Sequence, residues 1–347
     1  MDARRTAVSI TYNKKKVTRA LSPYIESVSY KDAASGKSDE LSIELNNQDL
    51  RFINNWKPVK GSTISSKITL KEWKKENVNE SFNTGKMVVD DLSTSFPPSM
   101  FTIKAVSAPV KSEFKSTKRK KTYKNSTIQA IGKKVAKRAG IKLYYDAKKI
   151  KIKKIEQSDQ TDADFLFSIC EEYGLGMKVY NGKIILYDEE KYEKKAPIAT
   201  IYRTEKNAGC GKTSKDIGGV KEWEWNTTMQ GTYAGAKVTY TDSSNNKKHK
   251  ARVGKKKGRQ LKLNISAYSK KDAQRKARAA LHKENKQLTT MTITMLPNPR
   301  LVACATVKLV GFRKGSGKYF IDEVNHKIGK GYTCEVTLHK IVVTKGK

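Results

Sequence analysis

One strand-like segment occurs twice in this chain, once within the first hundred residues and once near the other end. Residues 85–92 read GKMVVDDL, and residues 317–324 read GKYFIDEV. The glycine, the lysine and the first aspartate are identical, and four other positions keep their residue class. Such a repeat restricts the chain to folds that use one β unit at two places.

A second similarity follows each copy after about one turn, where MFTIKAV (100–106) corresponds to GYTCEVT (331–337). Together the two segments predict three pairs of equivalent core positions: Val89 with Ile321, Phe101 with Tyr332, and Ile103 with Cys334. Chance resemblance is the alternative, because amphipathic strands draw on few residue types. If the repeat is a duplication, a closed ring of three chains contains six similar units.

Hydrophobic periodicity predicts strands at both ends of the chain and helices mainly in the middle. Alternating apolar and polar residues predict strands within 37–47, 55–73 and 96–110. Capping residues and apolar faces predict helices at 126–140, 161–174 and 269–287. The Asn181-Gly182 pair predicts a tight hairpin turn between two further strands.

These elements predict an α+β fold that is mainly β. We expect a first antiparallel β domain at 1–110, a small α+β domain at 111–195, and a second β domain with a helical insertion at 196–347. A chain of 347 residues exceeds what one hydrophobic core usually serves, which is consistent with several domains.

The charge of the chain is strongly unbalanced, with 71 Lys and Arg against 34 Asp and Glu, a formal net charge of +37. Nucleic acid, an anionic membrane surface and an acidic protein are the partner classes that fit such an excess. The densest run, 245–259, is predicted to be a basic loop between strands. Its candidate contact residues are Lys247, Lys248, Lys250, Arg252, Lys255, Lys256, Lys257 and Arg259. The run lacks aromatic residues for base stacking, so we favour a solvated loop or a contact for an acidic neighbour.

No residue pattern in the sequence indicates catalysis, a cofactor or a metal site. The run GCGKTSKD at 209–216 lacks the first glycine of a phosphate loop, since Lys206 stands at that position. The four cysteines are scattered and the four histidines are isolated, which argues against a zinc site and a nucleophile pair. No apolar run is long enough to span a bilayer, and the amino terminus does not resemble a signal peptide.

An ordered series of segments resembles the phage late control protein D family, the baseplate hub proteins of contractile phage tails and phage-tail-like particles. The segments are YKDAASGKSDELSIELNNQDLRFINNWKPVKGSTI, GKMVVDDLSTSFPPSMFTIKAVS, KSTKRKKTYKNSTIQAIGKKVAKRAGIKLYYD and EQSDQTDADFLFSICEEYGLGMKVYNGKIILYDEE. The resemblance implies a homotrimer with two related, barrel-like tube domains per chain. It also implies partners: the inner tail tube, the central spike, other baseplate proteins and the tape measure protein.

The resemblance places the chain in a tail baseplate assembled in the bacterial host cytoplasm, with nucleic acid met only by passage or non-specifically. Whether the particle is a phage or a bacteriocin-like device stays open. Two other classes of function stay open as well: a nucleic-acid-binding protein that uses its basic surface, and a tail-associated peptidoglycan hydrolase.

Overall fold

The computed structural model describes residues 4–73, 78–109, 113–207, 209–229, 232–242 and 247–341. The first part of the chain is almost entirely strand. Its elements are β1 (Arg5–Tyr12), β2 (Lys15–Lys16), α1 (Thr18–Leu21), β3 (Ile25–Ala33), β4 (Glu40–Asn46), β5 (Thr63–Lys71), β6 (Asn79–Asn83), β7 (Met87–Ser95) and β8 (Met100–Val106).

The middle part mixes helices and short strands. Its elements are α2 (Glu113–Ser116), β9 (Lys118–Thr127), α3 (Ile128–Arg138), β10 (Lys142–Asp146), β11 (Lys151–Thr161), α4 (Asp162–Glu172), β12 (Leu175–Tyr180), β13 (Lys183–Asp188) and α5 (Glu189–Lys194). Asn181 and Gly182 both have positive φ, the backbone that the tight hairpin turn requires.

The last part returns to strands around one long helix. Its elements are β14 (Ala199–Tyr202), β15 (Asp216–Ile217), β16 (Val220–Thr227), β17 (Gly235–Asp242), β18 (Lys248–Gly254), β19 (Gln260–Ala267), α6 (Lys270–Lys286), β20 (Thr289–Met295), β21 (Thr306–Val310), a 3₁₀ turn (Arg313–Gly315), β22 (Gly317–Ile328) and β23 (Tyr332–Lys340). The fold is therefore mainly β with inserted helices, as predicted.

The three longer helices begin at the capping residues that such sequences favour. The caps are Thr127, Thr161 and Ser269. The side chain of each accepts a hydrogen bond from the backbone N–H group three residues later, which satisfies a free N–H group of the first turn. Thr161 Oγ1 also donates to the Asp164 side chain at 2.7 Å. These caps fix where α3, α4 and α6 start.

One large sheet contains strands from both ends of the chain. Among the described residues its main path runs β15-β14-β21-β22-β3-β4-β8-β7-β5-β1-β2, with β23, β20, β16 and β6 attached beside it. This order is an open path rather than a closed ring. Two smaller sheets belong to the middle part, and a third, in the order β18-β17-β19, lies in the last part.

Among the described residues, the buried apolar side chains form four principal cores. One lies within β1–β8 and includes Ile10, Leu41 and Phe101, and a second lies within the middle part around Ile131 and Leu166. The last part contains two cores: one among the strands of the large sheet, and one where α6 packs on β17, β18 and β19.

The prediction of a basic loop at 245–259 is wrong for about half of these residues. Residues 248–254 form strand β18, and 255–259 form the connection to β19, while 245 and 246 lie outside the described residues. The segment forms a strand because its small and apolar residues alternate with its cations. His249 stacks on Tyr240, and Val253 is buried, while Lys248, Lys250 and Arg252 point outward.

Candidate assembly interface

Two sets of four strands in the large sheet have the same order and the same irregularities. The first set is β3-β4-β8-β7, and the second is β16-β20-β23-β22. Each set has a one-residue bulge in its first strand, at Glu26 and Lys221, and another in its last strand, at Asp90 and Asp322. Because a bulge fixes strand register, the matching bulges define equivalent positions in the two sets.

The six predicted core positions are all buried, with exposed fractions of 4% or less. The bulges place Val89 at the position equivalent to Ile321. The other two pairs are offset by two residues, because Leu92 lies opposite Ile103 while the equivalent Val324 lies opposite Val336. Register thus matches Ile103 to Val336 and Phe101 to Cys334. A two-residue slip keeps the same residues on the apolar face, so the sequence pattern could not detect it.

Tyr332 has no equivalent in the β7–β8 hairpin. The β22–β23 hairpin is longer by one residue pair, and that extra pair is Ile328 with Tyr332. The Tyr332 ring packs with the core of β1–β8, edge-on to Trp73 at 6.0 Å between ring centroids. Its hydroxyl makes a 2.9 Å hydrogen bond with His326 Nδ1. Burial lowers the pKa of His326 to about 4, so this histidine is neutral at pH 7. Tyr332 therefore joins the two sets of strands instead of filling a separate second core.

The two sets are joined edge to edge within the chain. Residues 323–328 of β22 pair antiparallel with residues 28–33 of β3. The first half of β22 pairs with β21 instead. One edge of β22 is therefore shared by two strands, β21 along its first half and β3 along its second half. The result is a continuous run of eight strands: β16-β20-β23-β22-β3-β4-β8-β7.

Both outer edges of this eight-strand run are open among the described residues. β16 pairs only with β20. β7 pairs with β5 at Met87 and Val88, and residues 91–95 then have a neighbour only on the β8 side. The open half of β7 is equivalent to the half of β22 that binds β3, and β16 is equivalent to β3. Each open edge thus corresponds to an edge that is already paired inside the chain.

Exposed aromatic side chains lie at both open edges. Phe96, directly after β7, is 84% exposed, and Trp223, in the middle of β16, is 44% exposed. Their equivalents in the internal junction are Ile328 and Val28, which lie opposite each other. Large exposed apolar residues at an unpaired strand edge are typical of an interaction surface.

The eight-strand run has a polar face opposite its cores, and this polar face has the reverse charge balance of the whole chain. Three residues per strand point to it, and all are exposed or half-buried. Seven are acidic: Glu40, Glu44, Asp91, Glu222, Glu224, Glu323 and Glu335. Three are basic: Lys31, Lys104 and Lys327. Nearly all of the others are Ser, Thr or Asn, so the face is net negative in a chain of +37.

A buried ion-pair cluster holds the middle part against both ends of the chain. The Lys178 ammonium donates to Asp39 Oδ1 at 2.8 Å, to the Ala33 carbonyl at 2.7 Å and to Asp32. Asp32 also accepts from the Ala303 N–H at 2.8 Å. Burial acts to lower the pKa of Lys178, but attraction by Asp32 and Asp39 outweighs it and raises that pKa. Burial raises the pKa of Asp39 against the opposing effect of Lys178.

A second polar cluster joins α5, α6 and the hairpin of β22 and β23. His339 contacts Asp322 through Nδ1 at 2.8 Å and Glu193 through Nε2 at 3.1 Å, and His282 contacts Glu193 from α6 at 2.8 Å. Burial opposes the charged form of His339, but Asp322 and Glu193 outweigh it and raise its pKa to about 9. Burial likewise acts to raise the pKa of Glu193, but the two histidines lower it to about 2.

Sequence reasoning missed both clusters. Lys178 lies 146 and 139 residues after Asp32 and Asp39, and all three stand among many surface charges in the sequence. Asp322 belongs to the repeat, but it makes an ion pair that its equivalent Asp90, which is exposed, does not make. Within the described part of the chain there is no cluster of three or more His, Cys, Asp or Glu suited to a metal ion. No helix there is long and apolar enough to cross a membrane.

The comparisons with known proteins agree on one family. The model of a family described as phage tail baseplate hub (GPD) matches residues 109–332. Probable baseplate hub proteins of Escherichia phages 186 and P2 are 26% and 28% identical over 181 and 199 residues, which is 52% and 56% of this chain. The matches span 44% and 49% of those relatives, so the chain aligns with about half of their length.

Solved structures share the fold over nearly the whole chain. A tail protein from Neisseria meningitidis has a TM-score of 0.70 at 12% identity, with 96% of each chain covered. A prophage tail protein from Shewanella oneidensis has 0.67 at 14% identity, with 97% and 98% covered. An E. coli component of the type VI secretion system has 0.55 at 9% identity, with 99% and 78% covered. At these identities the likeness concerns the fold.

Proposed function

This chain belongs to the phage tail baseplate hub (GPD) family, and we propose that three copies form a ring that adapts a sixfold inner tail tube to a threefold central spike. The observation that carries the proposal is the pair of equivalent four-strand sets, joined within the chain and open at both outer edges. Three chains supply six such sets. A sixfold partner can then meet six similar surfaces, and a threefold partner can meet three whole chains.

The two sets support a division into two related tube domains, at 1–110 and 196–347, around the α+β domain at 111–195. In this proposal neither tube domain is a closed barrel alone. Each becomes barrel-like when its edge strands find neighbours in the ring.

The internal junction predicts how one copy meets the next. By equivalence, β16 of one copy pairs antiparallel with residues 92–96 of the next copy, as β3 pairs with β22. The expected register sets Asn226 opposite Ser93 and Trp223 opposite Phe96. Three copies then form a sheet of twenty-four strands, which at about 4.8 Å per strand is roughly 37 Å across between backbones.

The polar face supports a passage through this ring. The cores and the middle part lie on the other side of the eight-strand run, so a closed ring has room for them only outside. The acidic and hydroxyl-rich face then lines the passage, where it repels phosphate rather than binding it. We propose that nucleic acid is met here by passage alone, and that the ring ends contact the tube and the spike.

We propose a structural role without catalysis, in a tail baseplate assembled in the host cytoplasm. Other baseplate proteins and the tape measure protein are its further proposed neighbours. The nucleic-acid-binding alternative rests on the basic surface alone, and no arrangement of side chains among the described residues favours the peptidoglycan hydrolase.

Cross-linking between copies tests the ring. A double variant, Ser93→Cys with Asn226→Cys, is expected to form disulfide-linked species up to three times the 39.0 kDa of one chain when it is co-expressed with its neighbouring tail proteins and mildly oxidised. The matched control is Lys31→Cys with Asn325→Cys, the equivalent pair inside one chain, which should form a disulfide without any increase in mass. Each single-cysteine variant should stay unlinked. A control that forms its disulfide beside a test pair that stays monomeric would refute the ring.

A further inference from the structure

The last part of the chain contains an added unit that the first part lacks. In the first four-strand set, six residues (34–39) connect β3 to β4, while in the second set residues 228–288 connect the equivalent β16 and β20. Within that connection, β17, β18, β19 and α6 enclose their own apolar core. We call residues 232–287 the basic unit. Because the first set pairs its strands with a short connection, the basic unit is an addition to the sheet rather than part of it.

The basic unit buries one face of its sheet against α6 and exposes the other. The buried residues of β17, β18 and β19 that point toward α6 include Ala236, Val238 and Val253. Twelve described positions point outward, and they hold no acidic and no aromatic residue. Five of them are exposed cations: Lys237, Lys248, Lys250, Arg252 and Lys262.

We propose that this outward face docks an extended acidic segment of a partner protein, which adds as a strand along β18. In the described structure no strand pairs with the other edge of β18, and the Arg252 carbonyl there accepts one 3.4 Å hydrogen bond from the Gln274 side chain, which an added strand would replace. Lys248, Lys250 and Arg252 alternate along it, roughly 6.7 Å apart. A strand with acidic residues at every second position places each carboxylate opposite one of these cations.

A row of cations across the sheet also favours the binding of an acidic strand. Lys237 lies between Arg252 and Lys262 in the strand register, so the positive face continues beyond the edge strand. A carboxylate that extends over β18 meets more than one cation. The five cations therefore lie together on one face of a three-stranded sheet.

Nucleic acid fits this face less well. Single strands are held by aromatic side chains that stack on the bases, and the outward positions contain none. Reading of a duplex requires an element that enters a groove, whereas this face is the flat side of a sheet. A duplex could contact it only through phosphates.

Synthetic peptides test the proposal on the full-length chain. The probe is a fluorescent ten-residue peptide of alternating Glu and Thr, measured by fluorescence anisotropy, beside a peptide with the same composition in two blocks. We expect the alternating peptide to bind more tightly than the block peptide, and both to bind less tightly as salt increases. Equal affinity for the two peptides, or tighter binding of a duplex DNA of equal charge, would overturn the proposal.

A pair of charge-matched variants locates the site. Replacing Lys248, Lys250 and Arg252 with Gln should weaken binding of the alternating peptide by about tenfold, the expected sum of three cross-strand charge pairs. The control replaces Lys255, Lys256 and Lys257 with Gln in the neighbouring connection, which removes the same charge but leaves β18 intact. Circular dichroism establishes that both variants fold. An equal loss in the two variants would mean that net charge alone attracts the peptide.

Discussion

At the scale of single residues, the Lys178 cluster is the point where three parts of the chain meet. Its ammonium satisfies carboxylates from β3 and from the connection to β4, and Asp32 bonds in turn to the Ala303 backbone. Removing one partner of a buried ion pair leaves a charge without compensation, which costs more than the pair contributes in net stability. The cluster therefore fixes how the parts dock.

We expect Lys178→Met to lower the free energy of unfolding by about 3–5 kcal/mol, because it leaves two buried carboxylates without their cation. Urea denaturation followed by tryptophan fluorescence measures the change. Lys183→Met, at an exposed position on the adjacent strand β13, is the control and should change stability little. Similar losses in the two variants would show that the cluster is not specifically stabilising.

His339 predicts a pH dependence of stability with a definite sign. Its pKa is raised to about 9 in the folded chain, so its ion pairs contribute fully below the unfolded value of 6.5 and are lost as pH rises through 9. Glu193, with a pKa lowered to about 2, contributes above 4.5 and loses its contribution only in strong acid.

We expect wild-type protein to lose about 2–3 kcal/mol more stability than His339→Gln between pH 6.5 and pH 9.5. Glutamine keeps a hydrogen-bond donor but cannot titrate, so the comparison isolates the proton. Urea denaturation at the two pH values gives the difference. Parallel losses in both proteins would mean that His339 is not charged in the folded state.

At the scale of elements, residues at the open edges of β7 and β16 should affect the association of copies without affecting the stability of one chain. Phe96 is 84% exposed and contributes little to the fold of one chain, while in the proposed ring it lies against Trp223 of the next copy. Variants at this position should therefore act on association alone.

We expect Phe96→Ser to weaken ring formation by about tenfold or more, since an exposed aromatic ring at an interface contributes about 1.5–3 kcal/mol when buried. Its unfolding midpoint should match that of wild type. Sedimentation of the chain with its neighbouring tail proteins measures the ring, and Val59→Ser, at another exposed apolar position, is the control. Normal ring formation by Phe96→Ser would exclude this edge as the contact.

The sequence predicted elements better than it predicted their partners. Alternation located strands such as β4, β5 and β8, and capping residues located the three longer helices, because these signals are local. The register of β22 and β23 was missed by two residues, since a shift of two keeps every side chain on its face. The strand β18 was missed because its dense charge obscured an alternation of His249, Ala251 and Val253 with cations that is visible in the printed sequence.

At the scale of the whole molecule, the repeat predicted the existence of two similar β units but not their junction. Nothing local in β3 or β22 specifies that they pair, because pairing depends on which edges remain free after all the other strands have formed. The charge inversion was equally hidden. The net charge of +37 describes the chain as a whole, and only the strand register separates the acidic face from the basic unit.

The pairing of β3 with β22 also determines the order of events during synthesis. The edge partner of β3 is complete only when residue 328 has been translated, almost three hundred residues after β3 itself. Until then β3 is an exposed edge that can accept β22 from another nascent chain, which would exchange strands between copies. Contacts of such long sequence separation form slowly. Ribosomes crowded on one messenger would therefore favour exchanged dimers, and well-spaced ribosomes would favour pairing of β3 with β22 of the same chain.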